Sequence, residues 1–553
     1  MLSGLAIAAA LCVLLLSSGS LFVFASTNCV PYPVATRIGN VTLSNGQVAR
    51  GAVFSVGTPE QNFAFLPQWP LNNIIVYGTN GYCVSPAPRT SIGCTTWRGG
   101  QYDAVTSTTR KTAEAGSYPF DSNGYPTLDF ISDALKINSN VTLPQISMGT
   151  PLQDWGQQGY YPMMAIGLGK NSTILKALRS TGKIFSRTWS MWYGWTGSSA
   201  LTQVDGTLVF GGYDRAKVSG SGYTLAMTDH SGCETQLMVT IGDIILNFPN
   251  GSTASLLQSS KDSIAACIVP DYPVLMTMPL DPYFQAFQNL TGTSLGDRTL
   301  GLAYYSMLYR DGDIPYAGDM TFKLQSGPTI RIPNHQLVVP NRYVDPSNGE
   351  VKANVSQQNL VINTVQNINA KDLPKLGRQF LSSLYLMVNE DQRQFTLWRS
   401  NPTNTVDLVT IDEKGNELTN FCSSDSALED SSSQSKVVPT GAIVGASVGA
   451  VAVASIFGLG IFVLFRRRRR QRYATNVVVE VTSPSQTNED DDKLKKRDQE
   501  LQIHSVPLPG IDGLDDISSL ARDGYAKSEL DGSSSVKSPG RHVGMQQQFE
   551  LPG

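Results

Sequence analysis

GTPEQNFAFLPQWPLNNIIVY, residues 57–77, is the stretch that decides how the rest of the sequence is interpreted. Its first three residues favour a turn, and Phe63 and Phe65 alternate with smaller or polar residues, as in a β-strand. The apolar residues 74–77 predict a second strand. Two prolines within 67–70 interrupt regular strand pairing, so they predict a rigid loop between the two strands.

Short apolar runs separated by Gly, Pro, Asn, Ser and Asp continue from residue 27 to about residue 404. This texture is typical of an all-β protein. Helical patterns are few and short, and the best of them cover residues 172–178 and 282–289. No fixed-period repeat of the solenoid type is present.

Further motifs follow the opening stretch in a fixed order: GGQYD (99–103), AIGLG (165–169), DGTL and FGGYD (205–214), and LGRQFL (376–381) before Tyr385 and Val388. With GTPEQ, they resemble the pepsin-like aspartic proteases (peptidase A1-like), here of a membrane-anchored fungal type that has lost its catalytic residues. The resemblance covers about residues 45–400. It implies an all-β, bilobal pepsin-like acid protease fold with two related β lobes.

The motif that defines this family's chemistry is missing from both of its expected places. Members carry Asp-Thr-Gly in each lobe, and ungapped matching puts Gln68 at the first aspartate and Pro270 at the second. Asp271 is interpreted as a turn residue that follows a proline. For the tyrosine of the flap over the family's active site, Tyr118 and Phe120 are the nearest candidates.

Aspartic protease chemistry requires two carboxylates that share a proton and act on a bound water. Gln68 does not ionise, and Pro270 has no polar side-chain atom, so the sequence predicts no catalytic dyad. His230 and His335 are interpreted as surface residues, and no metal or cofactor motif is found. The sequence allows two interpretations of Trp69, Trp189 and Trp192: they line a cleft, or they pack in the core.

The ends of the 553-residue chain predict a membrane topology. Residues 1–25 are interpreted as a signal peptide, 26–225 and 226–421 as N- and C-terminal β lobes, and 422–439 as a Ser-rich stalk. Residues 440–465 predict a transmembrane helix, which arginines follow, and 466–553 a disordered cytoplasmic tail. The chain is thus expected to be a type I single-pass plasma-membrane protein with an extracellular N-terminal part.

Cysteines and glycosylation sequons lie on the side of the membrane that this topology makes extracellular. Six cysteines predict three disulfides, with Cys83–Cys94 favoured by proximity and Cys233–Cys267 and Cys29–Cys422 as further pairs among 15 possible connectivities. The predicted glycosylation sites are Asn40, Asn140, Asn171, Asn250, Asn289 and Asn354.

These observations predict a catalytically inactive, aspartic-protease-like cell-surface glycoprotein. Its expected role is that of a receptor, sensor or adhesion protein that binds an extended peptide between the lobes. The alternative is an active membrane-anchored aspartic endopeptidase. Gly441, Gly445 and Gly449 on one face of the membrane helix suggest a helix dimer. The net charge of −3 does not attract negatively charged nucleic acid, so no nucleic-acid partner is expected.

Overall fold

β-Strands dominate the part of the chain that the structure describes. The computed structural model describes residues 29–421, except 70, 79–90, 120–127, 153–162, 198, 258, 260 and 366–369. These residues contain 28 strands and four short α-helices. The prediction of an all-β chain is therefore confirmed.

The strands from the first half are β1 (Val34–Thr42), β2 (Val48–Val56), β3 (Gln61–Gln68), β4 (Ile74–Ile75), β5 (Lys111–Thr112), β6 (Leu128–Lys136), β7 (Thr142–Pro151), β8 (Ala165–Gly167), β9 (Thr188–Trp195), β10 (Val204–Phe210), β11 (Gly212–Asp214) and β12 (Val218–Ala226). Those from the second half are β13 (Met238–Asn247), β14 (Thr253–Ser255), β15 (Ile264–Ile268), β16 (Met276–Pro279), β17 (Asp297–Arg298), β18 (Met307–Leu308), β19 (Asp319–Leu324), β20 (Thr329–Ile332), β21 (Val338–Val344), β22 (Val351–Leu360), β23 (Ile362–Val365), β24 (Lys375–Leu376), β25 (Leu384–Asn389), β26 (Gln394–Ser400), β27 (Leu408–Ile411) and β28 (Glu417–Leu418).

The α-helices are α1 (Ser91–Arg98), α2 (Thr173–Ser180), α3 (Gln285–Thr291) and α4 (Asn334–Leu337). Single helical turns of other types cover Ala200–Thr202, Arg215–Lys217, Leu280–Phe284 and Phe380–Ser382.

Both helices expected from the sequence are present. α2 begins after Ser172, whose side chain accepts a hydrogen bond from Leu175 N and so caps the helix. Its apolar residues Ile174 and Leu178 are buried, which explains the amphipathic pattern. The second predicted helix is α3 together with the helical turn before it, and it ends at Gly292 with φ 67°. Glycine adopts this left-handed conformation at little cost.

The largest sheet has 13 strands, in the order β12-β26-β25-β9-β10-β1-β2-β3-β8-β4-β7-β6-β5. Eleven of these strands come from the first half of the chain, and β25 and β26 come from its end. The predicted division into lobes 26–225 and 226–421 therefore does not follow the sheets. The chain returns to its first sheet after residue 383, because β25 pairs with β9.

Residues between β12 and β25 build two separate sheets. One has eight strands, β20-β19-β13-β15-β24-β16-β23 with β14 beside β13, and the other has the order β17-β18-β22-β21. A small third sheet, β11-β27-β28, joins the end of the first half to the last described strands. All described residues fall within one compact unit.

Five strands of the large sheet are repeated, in the same arrangement, in the eight-stranded sheet. The first set is β2-β3-β8-β4-β7 and the second is β13-β15-β24-β16-β23. In both sets the successive pairings are antiparallel, parallel, antiparallel and parallel. This is an internal duplication of the kind that the sequence resemblance implies, and we call the two sets the first and second repeats.

β3 lies in the interior of the large sheet, between β2 and β8. Phe63 and Phe65 are fully buried, and Phe65 packs edge-on against Phe54 of β2 with 5.6 Å between ring centroids. Burial of each phenylalanine side chain stabilises the fold by about 2–3 kcal/mol. Ala64 and Leu66 point to the other face and are buried as well. Both faces of β3 are therefore covered, which fixes the position of the loop that follows it.

Cys233 and Cys267 form a disulfide, as predicted, which joins the segment before β13 to β15. Cys29 and Cys94 each also take part in a disulfide. Their predicted partners, Cys422 for Cys29 and Cys83 for Cys94, lie outside the described residues. The six sequon asparagines are all exposed, as glycosylation would require, and their glycosylation stays a prediction.

The predicted signal peptide, stalk, transmembrane helix, its three glycines and the cytoplasmic tail also lie outside the described residues. Among the residues that are described, no helix has both the length and the apolar character needed to cross a membrane.

Candidate functional site

The first repeat carries a loop, residues 68–73, between β3 and β4. Leu168 N donates a hydrogen bond to Gln68 O at 2.8 Å, and Gly167 N donates to Asn73 O at 3.1 Å. A Cβ atom at position 167 would lie 2.5 Å from Asn73 O, so only glycine permits this approach. The end of β8 therefore holds the loop at both of its ends.

The second repeat carries the corresponding loop, residues 269–275, between β15 and β16. Gly377 N donates to Leu275 O at 3.0 Å. A Cβ atom at position 377 would lie 2.2 Å from Val274 O. Each loop is thus packed against a glycine at the end of the last strand of its repeat in chain order: Gly167 ends β8, and Gly377 directly follows β24.

Strand register gives the residue-by-residue correspondence of the two loops. Ile166 of β8 pairs with Pro67 on one side and with Ile74 on the other. Both ends of the first loop are thus defined relative to Ile166. The counterpart of Ile166 in the second repeat defines the ends of the second loop in the same way.

In the second repeat, Leu376 of β24 has the same two relationships. It pairs with Ile268 in parallel and with Met276 in antiparallel orientation. The span from 268 to 276 is one residue longer than the span from 67 to 74. The second loop therefore contains one additional residue.

Because of this additional residue, the two paired ends of the loop give two counterparts of Gln68. Counted forward from Ile268 the counterpart is Val269, and counted back from Met276 it is the predicted Pro270. Tyr272 N donates to Val269 O at 3.1 Å, closing a turn that accommodates the extra residue. Ungapped matching of the sequence could not detect an insertion inside the loop.

The second loop contains an acidic residue, Asp271, and the first loop contains none. Burial raises the pKa of its carboxyl to about 6, against the lowering effect of Arg378 and Lys375. Its neighbour Tyr272 has its pKa raised to about 12, again chiefly by burial. Asp271 is half-buried and lies in the turn closed by Tyr272 N and Val269 O, so its interpretation as a turn residue is confirmed.

A second carboxyl group with a raised pKa, from Glu390, lies behind the first loop. Trp69 Nε1 donates to Glu390 Oε1 at 2.6 Å, and Glu390 is only 5% exposed. Burial raises the pKa of Glu390 to about 7, although the hydrogen bond from Trp69 and the charge of Arg187 lower it. Sequence reasoning missed Glu390, because a charged residue at the end of a strand resembles a solvated turn residue.

The tryptophans left open by the sequence belong to the core. Trp189 and Trp192 are fully buried, and Trp69 is 5% exposed. Trp192 Nε1 donates to the backbone oxygen of Ser382 at 2.7 Å, which satisfies its polar atom. None of the three side chains offers its ring face to a ligand.

The two histidines differ from each other. His230 is exposed, as expected, but His335 is half-buried and lies edge-on to Trp195 with 4.9 Å between ring centroids. Burial lowers the pKa of His335. Its interpretation as a surface residue was wrong, because its place at α4 brings it against an aromatic side chain. The described residues contain no group of acidic, histidine and cysteine side chains that could hold a metal ion.

Of the flap candidates, Tyr118 stacks on Phe130 of β6 with 3.7 Å between parallel rings. Phe120 lies outside the described residues. Tyr118 also lines a cavity of about 640 Å³, which we call the basic pocket. The described residues that line it are Gly116, Ser117, Tyr118, Pro119, Lys170, Asn171, Ser172, Thr173, Lys176, Arg179, Ser180 and Arg187.

The basic pocket adjoins the first loop through hydrogen bonds on two sides. Asn73 Nδ2 donates to Pro119 O at 2.8 Å. Asn72 accepts through its side chain from Asn171 N at 2.8 Å and through its backbone oxygen from the Thr173 hydroxyl at 2.9 Å. The loop that begins at Gln68 therefore ends at this pocket.

No family model matches the chain, and no curated protein matches it. Among solved structures, the chain is similar to an aspartic proteinase from Irpex lacteus. The two are 16% identical, and the match covers 67% of this chain and 99% of the proteinase with a TM-score of 0.43.

Proposed function

We propose that this protein is a catalytically inactive, aspartic-protease-like cell-surface glycoprotein that binds peptides as a receptor, sensor or adhesion protein. One observation carries this proposal: Gln68 stands in the first loop, and its counterpart in the second loop is Val269 or Pro270, depending on the end from which the loop is counted. None of these side chains ionises in the physiological range.

The chemical argument is that peptide hydrolysis by an aspartic protease needs a base and an acid at the same water molecule. Two carboxylates that share one proton supply both roles. An amide at one position and an aliphatic side chain at the other supply neither. Replacement at both positions leaves no half of the dyad on which a weakened enzyme would depend.

Peptide binding does not depend on that dyad. An extended peptide is held mainly by main-chain hydrogen bonds and by pockets for alternate side chains. The surface role rests on the predicted signal peptide, membrane helix and glycosylation sites, which give the binding part an extracellular position and a cytoplasmic tail.

The test is incubation of the purified full-length protein with a broad peptide library at pH 3–5, beside the variants Gln68→Ala and Asp271→Asn. We expect peptides to be retained on the immobilised protein and recovered intact. A statine-type mimic of the transition state should bind no better than a plain peptide, because such mimics depend on the carboxylate pair.

The second candidate is an active membrane-anchored aspartic endopeptidase, and one observation favours it. Asp271 lies in the second loop and Glu390 contacts the first, and the pKa values of both carboxyl groups are raised toward the range that suits acid–base chemistry. Cleavage that statine blocks and that Asp271→Asn abolishes would establish this candidate and exclude the inactive one.

A further inference from the structure

We propose that the basic pocket recognises the carboxylate groups of an acidic peptide, so that the protein selects ligands with Asp or Glu next to the segment held near the first loop. This inference rests on the proposed peptide-binding function and names the class of peptide.

Four cationic side chains converge on the pocket: Lys170, Lys176, Arg179 and Arg187. No acidic residue is among the described residues that line it. Two carboxylates behind the wall offset part of this charge, since Asp391 pairs with Arg187 at 2.8 Å and with Arg179 at 3.4 Å, and Glu413 pairs with Arg179. Four positive minus two negative charges leave a surplus of two.

The surplus is carried by the two lysines. Within the described part of the chain, Lys170 and Lys176 have no ion-pair partner, and both are exposed. Each ammonium group has three donors. An anion that enters the pocket therefore meets two exposed lysines beside two arginines that are paired with Asp391.

The serine and threonine hydroxyl groups of the wall are already committed to the fold. Ser172 donates to the backbone oxygen of Gly167 at 2.6 Å, and Thr173 donates to that of Asn72 at 2.9 Å. The hydroxyl groups of Ser117 and Ser180 likewise donate to backbone oxygens, those of Glu114 and Ala177. Their protons are not available to a neutral polar ligand. The ammonium groups are the strong donors that remain, which favours a carboxylate over an amide or a sugar hydroxyl.

Size and position favour a peptide over a free anion. A volume of about 640 Å³ lies in the range of pockets for drug-sized ligands, about 300–1,000 Å³, which is more than a free carboxylate ion fills. The pocket wall is hydrogen-bonded to Asn72 and Asn73 of the first loop. The pocket is therefore continuous with the end of the first loop.

The experiment measures binding of three fluorescent peptides to the purified full-length protein by anisotropy. All three peptides share one apolar core and carry the same three residues at both ends. These residues are Asp-Glu-Asp in the acidic peptide, Asn-Gln-Asn in the amide peptide and Lys-Lys-Lys in the basic peptide. We expect the acidic peptide to bind at least tenfold more tightly than the amide peptide, and this advantage to shrink as salt is raised from about 0.05 to 0.5 M.

Variants locate the effect in the pocket. Lys170→Ala with Lys176→Ala should abolish the preference, and Lys170→Glu with Lys176→Glu should transfer it to the basic peptide. The matched control is Lys183→Ala with Lys261→Ala, which removes the same charge from exposed lysines that do not line the pocket. The control should keep the full preference.

Asn171 is a predicted glycosylation site and lines the same pocket. Binding is therefore measured on the unaltered protein and on Asn171→Gln. If the acidic peptide binds only after Asn171→Gln, a glycan fills the pocket and the inference is overturned for the native protein.

The remaining outcomes separate the two proposals. Equal binding of acidic and amide peptides, or a preference that survives the lysine substitutions, overturns the acidic selectivity while peptide binding stands. Failure of all three peptides to bind, together with an empty library screen, overturns the proposed function itself.

Discussion

The first and second loops occupy the same place in two copies of one strand arrangement, yet they differ in length, in charge and in what lies behind them. The first has no ionisable residue, is anchored by Trp69 to Glu390 and ends at the basic pocket. The second is one residue longer and carries Asp271 between Arg378 and Lys375. A glycine packs against the loop in both repeats, so the two loops share their backbone packing although their side chains differ.

The largest expected effect comes from those glycines. Gly377→Ala would place a methyl group 2.2 Å from Val274 O, and backbone on both sides leaves little room for relaxation. We expect a loss of about 3–5 kcal/mol in the free energy of unfolding by urea, and a similar loss for Gly167→Ala. Gly296→Ala is the control, because its new methyl group would meet only Arg310 at 3.6 Å. An effect of Gly377→Ala as small as that of the control would show that the second loop is not clasped.

Glu390 should give the next largest effect, as a dependence of stability on pH. Its folded pKa of about 7 lies above the ordinary value of 4.5, so the folded state holds the proton more tightly. The contribution is fully present below pH 4.5 and is lost as pH rises through 7, by roughly 3 kcal/mol in total. Glu390→Gln should remove this slope from the unfolding curves. A slope that persists unchanged would assign it to another group.

Asp271 should behave in the same direction within a lower window. Its folded pKa of about 6 lies above the ordinary 3.8, so stability should fall between about pH 4 and pH 6 by somewhat less than for Glu390. Asp271→Asn should flatten this part of the curve alone. The two single variants and the double variant together show whether the two carboxyl groups titrate independently. If they do, the changes in the free energy of unfolding of the single variants add up to that of the double variant.

The smallest expected effect concerns the cations around the second loop. Lys375 lies 5.2 Å from the ring centroid of Tyr272 and lowers the pKa of Asp271. Lys375→Met should raise that pKa by less than about one unit and cost about 0.5–1 kcal/mol of cation–π attraction. NMR titration of the Asp271 carboxyl carbon measures the shift. A fall in the pKa would mean that Lys375 does not act on this carboxylate.

Local patterns predicted the local structure. Alternation around Phe63 and Phe65 and the apolar run that follows predicted β3 and β4, and the amphipathic residues of α2 predicted that helix. These features depend on neighbours in sequence, which a single sequence displays. The motifs also identified both loops, and the loss of the catalytic carboxylates stays a prediction.

What the sequence did not disclose depends on distant residues. An insertion in the second loop is visible only through the pairing of Leu376 with Ile268 and Met276. Glu390 is buried because Trp69, far away in the chain, covers it. Lysines of the basic pocket looked like ordinary surface charges, since their convergence depends on the segment around Tyr118 that forms the opposite wall.

The return of β25 and β26 to the first sheet has a consequence for biosynthesis. β9 is completed at Trp195, but its partner β25 begins at Leu384. At a translation rate of 5–20 residues per second, the partner emerges roughly 10–40 s later. For that interval β9, with its tryptophans, is an unpaired apolar edge of the kind that aggregates. The nascent chain should therefore depend on chaperones until its last strands are made, and truncation before residue 384 should be degraded rather than secreted.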